Sequence, residues 1–449
     1  MLAAGSRIGP VADPTRSWWL ANTPPLASVQ TPPPEADIAI IGAGMTGCSI
    51  AYWLAALGIQ RSVVVLDARG VAGGATGRNG GHLWCNPTSE FERATTAELL
   101  AFIEEKKVQC DLERGGAAAL TRKHAETGVE YFDAPGDPEE LGADDEWGEA
   151  EEWDEASCAE KLQSDAFVSA MVYPEAMQFF PAKVTSALLD ASDATLVAPI
   201  RVERIEESSG GEDGVTQLLT WQSDGPSESG RPTSGVLRAG RVVVATNGWA
   251  SELLPELSSH LYATRNQVIM TAPIPASQTW QVGGLSVDSE KGARELYAIR
   301  RPDGRVCLGG ARALEPGAAV GSTDDSSTSE VVGAYLRRFL AKQFPRLAST
   351  QGETDAASSS GDVGGIEVEA EWTGVLGFTS DGKPFVGPLP ERPNVYVAAG
   401  FNGNGMPQCF GVGKAIALML ADRPQEVAEY VRVDARAERF ATNADGTAG

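Results

Sequence analysis

The stretch "DIAIIGAGMTGCSIAYWLAALGIQRSVVVLDA", residues 37–68, constrains the fold more than any other part of the chain. A short apolar run, a glycine turn, a helix start rich in small residues and a second apolar run make a βαβ unit of about 30 residues. Gly42, Gly44 and Gly47 take the G-x-G-x-x-G spacing, and Asp67 ends the second run 20 residues after Gly47. Gly42 permits the tight turn, and Gly44 lets a pyrophosphate approach the backbone. Met45 and Thr46 open the helix whose N-terminus favours the anion, and Gly47 permits close packing of helix on strand. Asp67, with Ala68 beside it, is placed to accept from the ribose hydroxyls of an adenosine. The motif alone leaves NAD and FAD both open.

Composition sets the outer limits. With 449 residues, 42% of them hydrophobic and 10 Trp and 13 Phe among them, the chain can bury a large core and is expected to divide into two lobes. Its net charge of -25, from 36 basic and 61 acidic residues, repels polyanions and so argues against nucleic acid or an anionic membrane surface as partner. The six cysteines are scattered without a C-x-x-C pair, which suits a reducing compartment and argues against a metal site. Residues 1–35 lack the apolar centre of a signal peptide, and no run of about 18 apolar residues exists to span a bilayer. A soluble cytoplasmic protein is therefore expected.

Along the chain, "DPTRSWWLANTPPLASVQTPPPEAD" mixes proline clusters with Trp18 and Trp19, and is expected to be extended, either a strap held to the surface by its aromatics or a disordered leader. Three polar segments read as long surface loops: residues 206–235, "PGAAVGSTDDSSTSE" from Pro316, and "TQGETDAASSSGDVGG" from Thr350. Between them, residues 217–249 predict a hairpin feeding a buried strand at Arg241 to Ala245. "ELYAIRRPDGRVCLGGAR" predicts two strands joined at Pro302-Asp303-Gly304. "TSEVVGAYLRRFLAKQFPRL" carries the spacing of an amphipathic helix.

A second glycine turn lies near the C-terminus: the apolar run Val395 to Ala399, then Gly400, Gly403, Asn404, Gly405 and Met406, then a helix with small residues at Gly411, Gly413 and Ala417. Backbone N–H groups at such a helix start suit an electron-rich ligand edge, such as the pyrimidine end of a flavin. With "IGAGMTGCSIAYWLA", "LDARGVAGGATGRNGGHL", "VVVATNGW" and "SDGKPFVG…VYVAAGFNGNGM" in this order, the chain resembles the D-amino-acid oxidase-like family of FAD-dependent oxidoreductases from about Asp37 to Leu420. That family includes glycine and sarcosine oxidases and γ-glutamylputrescine oxidoreductase.

The resemblance implies an α/β (α+β) fold, with a Rossmann-type FAD-binding domain from residues 36–90, 181–260 and 373–425. A discontinuous second domain on a large mixed or antiparallel sheet, residues 91–180 and 261–372, would cover the substrate side, between an N-terminal segment to residue 35 and a tail from 426. It implies an FAD whose diphosphate sits at Gly42 to Gly47 and whose ribose is held by Asp67. The ribityl-flavin portion would follow Ala75, Thr76, Gly77, Arg78, Asn79, Gly80, Gly81 and His82. Val202 would flank the adenine, Thr246, Asn247 and Gly248 would lie along the cofactor, and Gly403 to Met406 would meet the ring.

The implied chemistry removes a hydride from a carbon bearing an amine, giving an imine, from a small amine or amino-acid substrate; oxygen or another acceptor reoxidises the flavin. Oxidation of another C–N or C–O bond, or a non-catalytic flavin-binding role, are the alternatives. Oligomeric state is not legible.

Departures from the family pattern matter. The position of a flavin-attaching cysteine in sarcosine-type relatives falls on Gly374, and that of a flavin-attaching histidine falls near Arg78, so a noncovalent FAD is expected. Met406 is followed by Pro407 where sarcosine-type enzymes carry a substrate-binding lysine, and their oxygen-activating lysine aligns with Cys307. Arg300 and Arg301 are then the candidate carboxylate clamps, since a guanidinium can form two parallel bonds, and at most one of two adjacent strand residues faces the flavin. Among the histidines His82 is the candidate for a proton relay or a flavin contact, and it joins Arg300, Arg301 and Tyr297 as a candidate catalytic residue; Tyr297 and Trp372 are candidate walls of an amine pocket.

Overall fold

The computed structural model describes residues 9–86, 88–123, 150–208, 216–223, 232–288, 294–348 and 366–427. Its first sheet has the strand order Phe385–Pro388, Val395–Ala399, Ser234–Val244, Glu35–Ile41, Val63–Leu66, Thr195–Val197. Every pairing in this order but the first is parallel, with Ile38 to Ile41 opposite Val63 to Leu66 on one side and Arg241 to Val244 on the other. Buried on both faces, these strands read as unbroken apolar runs. The C-terminal helix Cys409–Leu420 and the helix Met45–Ala56 lie against each other on this sheet. Their small residues set the contact: a Cβ at Gly413 would come within 2.5 Å of the Ser49 Cβ.

The expected hairpin does feed a buried strand, and one 11-residue strand, Ser234–Val244, forms both its second arm and that strand. Its first half pairs antiparallel with Thr216–Ser223 and its second half enters the parallel sheet. The loop parts of residues 206–235 lie largely outside the described residues, as do the segment from Thr350 and most of the tail from residue 426.

A second sheet runs Val368–Thr379, Leu261–Thr271, Val306–Gly310, Arg294–Arg300, Gly284–Asp288, Ala117–Arg122, Phe167–Tyr173, Glu151–Trp153, and is antiparallel except where Gly284–Asp288 meets Ala117–Arg122. Strand Val368–Thr379 pairs with Leu261–Thr271 from Val368 to Thr379, so a domain boundary at residue 373 would fall inside one strand. The Pro302-Asp303-Gly304 turn joins its two strands as expected, with Gly304 at φ 85. Alternation divides this sheet's faces. Ile269, Leu296, Ala298 and Leu308 pack with Val332, Leu336 and Phe339 of the amphipathic helix Glu330–Gln343. Val268, Met270, Ile299, Cys307 and Trp372 join the core of the first sheet's helices.

The N-terminal segment departs from a simple extended strap. Trp18–Ala21 is a short helix, Trp19 is fully buried, and its ring meets Phe180 edge-on at 4.8 Å. Among the described residues no helix is long and apolar enough to cross a membrane.

Candidate active site

At the C-terminal ends of the parallel strands, where ligands bind in open α/β sheets, lies a cleft enclosing about 1190 Å³ of space between atoms, open to solvent at its mouth. Gly42, at φ 109, turns the chain there, and a Cβ on it would sit 2.6 Å from the Ala245 carbonyl oxygen. Gly47 closes the helix onto that turn, since a Cβ there would lie 1.9 Å from the Gly42 oxygen. Gly44, the N-cap, lines the cleft with Met45 and Thr46. The Met45 N–H donates to Thr76 Oγ1 at 2.9 Å, tying this turn to the single-turn helix Ala75–Gly77.

Asp67 and Ala68 line the same cleft. The Asp67 carboxylate accepts from three backbone N–H groups, those of Ala43, Arg69 and Gly70, at 2.7, 2.7 and 2.8 Å. Burial pushes its pKa up, and these three donors oppose that shift. Further along lie Ile200, Arg201 and Val202, then Thr246, Asn247 and Trp249, and at the inner end Leu376, Phe401, Gly403, Gly405 and Met406. Asn247 pins the second glycine turn, its side-chain oxygen accepting from the Gly400 N–H at 2.9 Å. Two polar atoms in this lining, Thr246 Oγ1 and Trp249 Nε1, are buried with no partner in the protein. Burying such groups unpaired costs about 1–3 kcal/mol each, so the cleft is shaped for a polar ligand.

Other residues singled out by sequence support the cleft from behind. Gly77 cannot carry a side chain because Leu20 packs on it, Gly248 lies under the Leu376 carbonyl, and Gly400, at φ 81, lies against Thr379. Arg78 is 4% exposed and turned away from the cleft. It donates to the carbonyls of Gly73, Thr15 and Thr373 at 3.1, 2.8 and 2.9 Å. Burial lowers its pKa to about 10, against the attraction of Asp325. Asn79 bridges its own loop, donating to the Thr76 oxygen and accepting from the Gly81 N–H. Asn404 donates to Glu92 Oε1 at 3.2 Å.

Gly374 packs under Arg78 and Gly80 under Tyr297. Gly81, at φ 87, is wedged between Trp19 and Ile299. His82 pairs with Gln178 in a separate two-stranded sheet and packs against the second sheet, its Nε2 3.2 Å from the Ala298 oxygen and its ring edge-on to Tyr297 at 5.8 Å. Cys307 is fully buried and its thiol is pushed up to about 12 by burial, so no base stands at that position.

The two clamp arginines are engaged elsewhere. Arg301 is 2% exposed, bound to Asp111 at 2.8 Å, with its guanidinium 4.7 Å from the Trp19 ring and 5.1 Å from that of Trp18. Arg300 points to the face opposite Tyr297 and lies 3.5 Å from Glu113. Trp372 is fully buried, donating to the Arg78 oxygen at 3.0 Å, and is not part of this cleft's lining. The loop from Pro316, expected to be solvated, holds Asp325 at 0% exposure. Its carboxylate receives both terminal nitrogens of Arg69, at 2.8 and 2.6 Å.

Residues 37–419 match the family of FAD-dependent oxidoreductases designated DAO. The chain belongs to the DAO family. It is 25% identical over 439 residues to a probable oxidoreductase, OrdL, of Rhizobium meliloti strain 1021, covering 92% of this chain and 90% of that one. It is likewise 25% identical to the glycine oxidase of Geobacillus kaustophilus strain HTA426, over 82% of this chain and 89% of that one. Among solved structures, the L-proline dehydrogenase of P. horikoshii superposes with a TM-score of 0.64 at 18% identity, covering 91% of this chain and 98% of that one. This DAO-family chain is thus an FAD-dependent oxidoreductase. Its cleft fits that cofactor: two glycine turns frame an elongated space, and orphaned donors line it.

Sequence reasoning missed Pro10, Arg69, Trp249, Glu252 and Phe401 of the lining. Trp249 and Arg69 sit inside segments it had marked, whereas Pro10 gave no local signal.

Proposed function

We propose that this enzyme oxidises the C–N bond of an amine or amino acid to an imine. FAD supplies the chemistry by accepting the hydride from the carbon bearing the nitrogen. Gly42, Gly44, Met45 and Thr46 would hold its diphosphate at the helix N-terminus, and Asp67 would take the ribose through the lone pairs its backbone donors leave unused. Val202 would lie along the adenine, Ala75, Thr76 and Asn79 along the ribityl chain, and Gly403, Gly405 and Met406 would meet the ring, all of them lining the cleft. FAD is held without a covalent bond, since Gly374 offers no nucleophile and Arg78 occupies the space above it.

The observation that carries the reading is the cleft itself, framed by the two glycine turns and lined by Thr246 Oγ1 and Trp249 Nε1, which are buried without a partner in the protein. Behind the cleft the second sheet covers the Arg78–Gly81 loop, where Tyr297 touches Gly80 and Asn266 donates to the Tyr297 hydroxyl at 3.2 Å. Burial raises the Tyr297 pKa, which keeps it a neutral donor. The residues therefore bind, orient and keep water out, and no strong base is required when the nitrogen is presented unprotonated. Anaerobic mixing with a panel of amines and amino acids is expected to bleach the flavin absorption with at least one of them. A panel without any bleaching would refute amine oxidation. Hydrogen peroxide yield on readmitting air separates an oxidase from a dehydrogenase.

A further inference from the structure

We propose that the chain ahead of the βαβ unit forms a wall of the cofactor site: Gly9 and Pro10 close the cleft where the adenosine would lie, and Glu252 latches them there, so that lifting this segment limits FAD release. The inference rests on the cleft being the FAD site, as read above, and not on which bond the flavin oxidises.

Gly9 and Pro10 line the cleft together with Arg201, Val202 and Glu252. The family match begins at residue 37, so it assigns nothing to them. The place is built for glycine: Gly9 sits at φ 85, and a Cβ there would come within 3.1 Å of Arg201 Cδ. Its N–H donates to Glu252 Oε2. Glu252 belongs to the short helix Ala250–Leu253, which follows directly on Trp249, so the latch is set on the same connection as the orphaned indole N–H of the cleft wall. Burial raises the Glu252 pKa, while the Gly9 N–H and the charge of Arg201 oppose that rise and favour the carboxylate that makes the latch.

From that end the segment is fixed along the cleft. The Val11 carbonyl accepts from Arg69 Nε and Nη2 at 3.1 and 3.0 Å, and Arg69 itself lines the cleft, its guanidinium 5.5 Å from the centre of the Trp249 ring. The Thr15 N–H donates to the Asp325 carbonyl at 2.8 Å, and the Thr15 carbonyl accepts from Arg78 at the same distance. The two cations that meet the Asp325 carboxylate thus each hold this segment as well. Between these anchors Ala12 and Asp13 are exposed. Lifting Gly9 and Pro10 then breaks the bond to Glu252 and uncovers the adenosine end while Thr15 stays docked.

The test follows FAD release from the loaded protein on dilution, by the rise of flavin fluorescence, in a variant lacking residues 1–12, in Glu252→Leu, and in the two combined. Glu252→Leu is expected to speed release about tenfold, the scale of one hydrogen bond to a charged group, and the truncation at least as much. The combination should release no faster than the truncation alone, because the latch has nothing to hold once the segment is gone. Gly9→Val, which pushes the segment off Arg201, repeats the test in a full-length chain and should also speed release. Unfolding midpoints at saturating FAD check that each variant is folded. Release at the wild-type rate in the truncation or in Gly9→Val, or effects of truncation and Glu252→Leu that multiply, would each overturn the assignment. Asp67→Ala separates the two readings: faster release there but not in the truncation sinks the wall alone, and no change in either sinks the cleft as the FAD site.

Discussion

Asp325 is buried because two guanidiniums converge on it. Arg69 binds it bidentately and Arg78 Nε stands 3.6 Å away, in surroundings where the three side chains are 9%, 2% and 0% exposed for Arg69, Arg78 and Asp325. Removing one charge from such a cluster leaves the others desolvated and unbalanced, at a cost of about 3–5 kcal/mol. Asp325→Asn is expected to lower stability in urea unfolding by about that amount; a loss under about 1 kcal/mol would mean that water already reaches the cluster. Glu92 offers a test with pH. It is buried beside the second glycine turn, accepting from Asn86, Gln408 and Asn404, and burial raises its pKa above the usual 4.5. A carboxyl whose folded pKa is raised contributes stability that is present below the unfolded value and lost as pH rises through the folded one. The stability of Glu92→Gln relative to wild type should therefore improve between about pH 4.5 and neutrality, as read from urea midpoints across that range. A constant offset at every pH would show that Glu92 is ionised alike in both states.

The short helix Trp18–Ala21 and the chain before it work as a clasp on the loop that runs along the cleft. Ser17 donates to the Gly77 carbonyl, Trp19 Nε1 donates to the Asn79 carbonyl at 2.7 Å, and Thr15 Oγ1 accepts from the Thr373 N–H at 2.9 Å. Truncating a buried tryptophan costs about 3–5 kcal/mol, and here the lost indole N–H also frees the loop. Trp19→Ala should lose stability on that scale and release FAD more readily on dilution, measured by flavin fluorescence. Trp19→Phe, which keeps the packing, should lose about 1 kcal/mol. Retention of FAD by Trp19→Ala at wild-type affinity would show that the clasp only packs.

The contrast with the glycine turns explains what the sequence could and could not tell. Gly42 and Gly47 were legible because their steric roles are set within one βαβ unit, by neighbours a few residues away. The clasp and the burial of Asp325 depend on residues brought together from distant parts of the chain, as with Thr15 and Thr373 or Arg69 and Asp325. Polar composition around Asp325 pointed the wrong way, because composition records how many charges a segment carries and not which of them meet a partner. Arg300 and Arg301 drew attention by adjacency, yet alternation along the strand and an aromatic box decide where they point.

Across the whole molecule, the cleft is lined by both sheets: Gly42, Asp67 and Val202 come from the parallel sheet or its connections, and Leu376 comes from the long edge strand of the other. A ligand seated there bridges the two sheets, while Trp372, Val268 and Met270 join their cores without it. Binding to the folded state alone stabilises it by RT ln(1 + [L]/Kd), about 2.7 kcal/mol at a hundredfold excess over Kd. Because the shared core couples the sheets, FAD should raise the unfolding temperature of both together rather than sharpen one of two steps. Acid precipitation of the yellow protein is expected to leave the colour in the supernatant, as a noncovalent cofactor requires. The refolded apoprotein should then unfold in a single transition that moves up with added FAD, whether followed by tryptophan fluorescence or by far-ultraviolet circular dichroism. Colour retained in the pellet would overturn noncovalent attachment, and two transitions of which only one responds to FAD would show that the sheets fold independently.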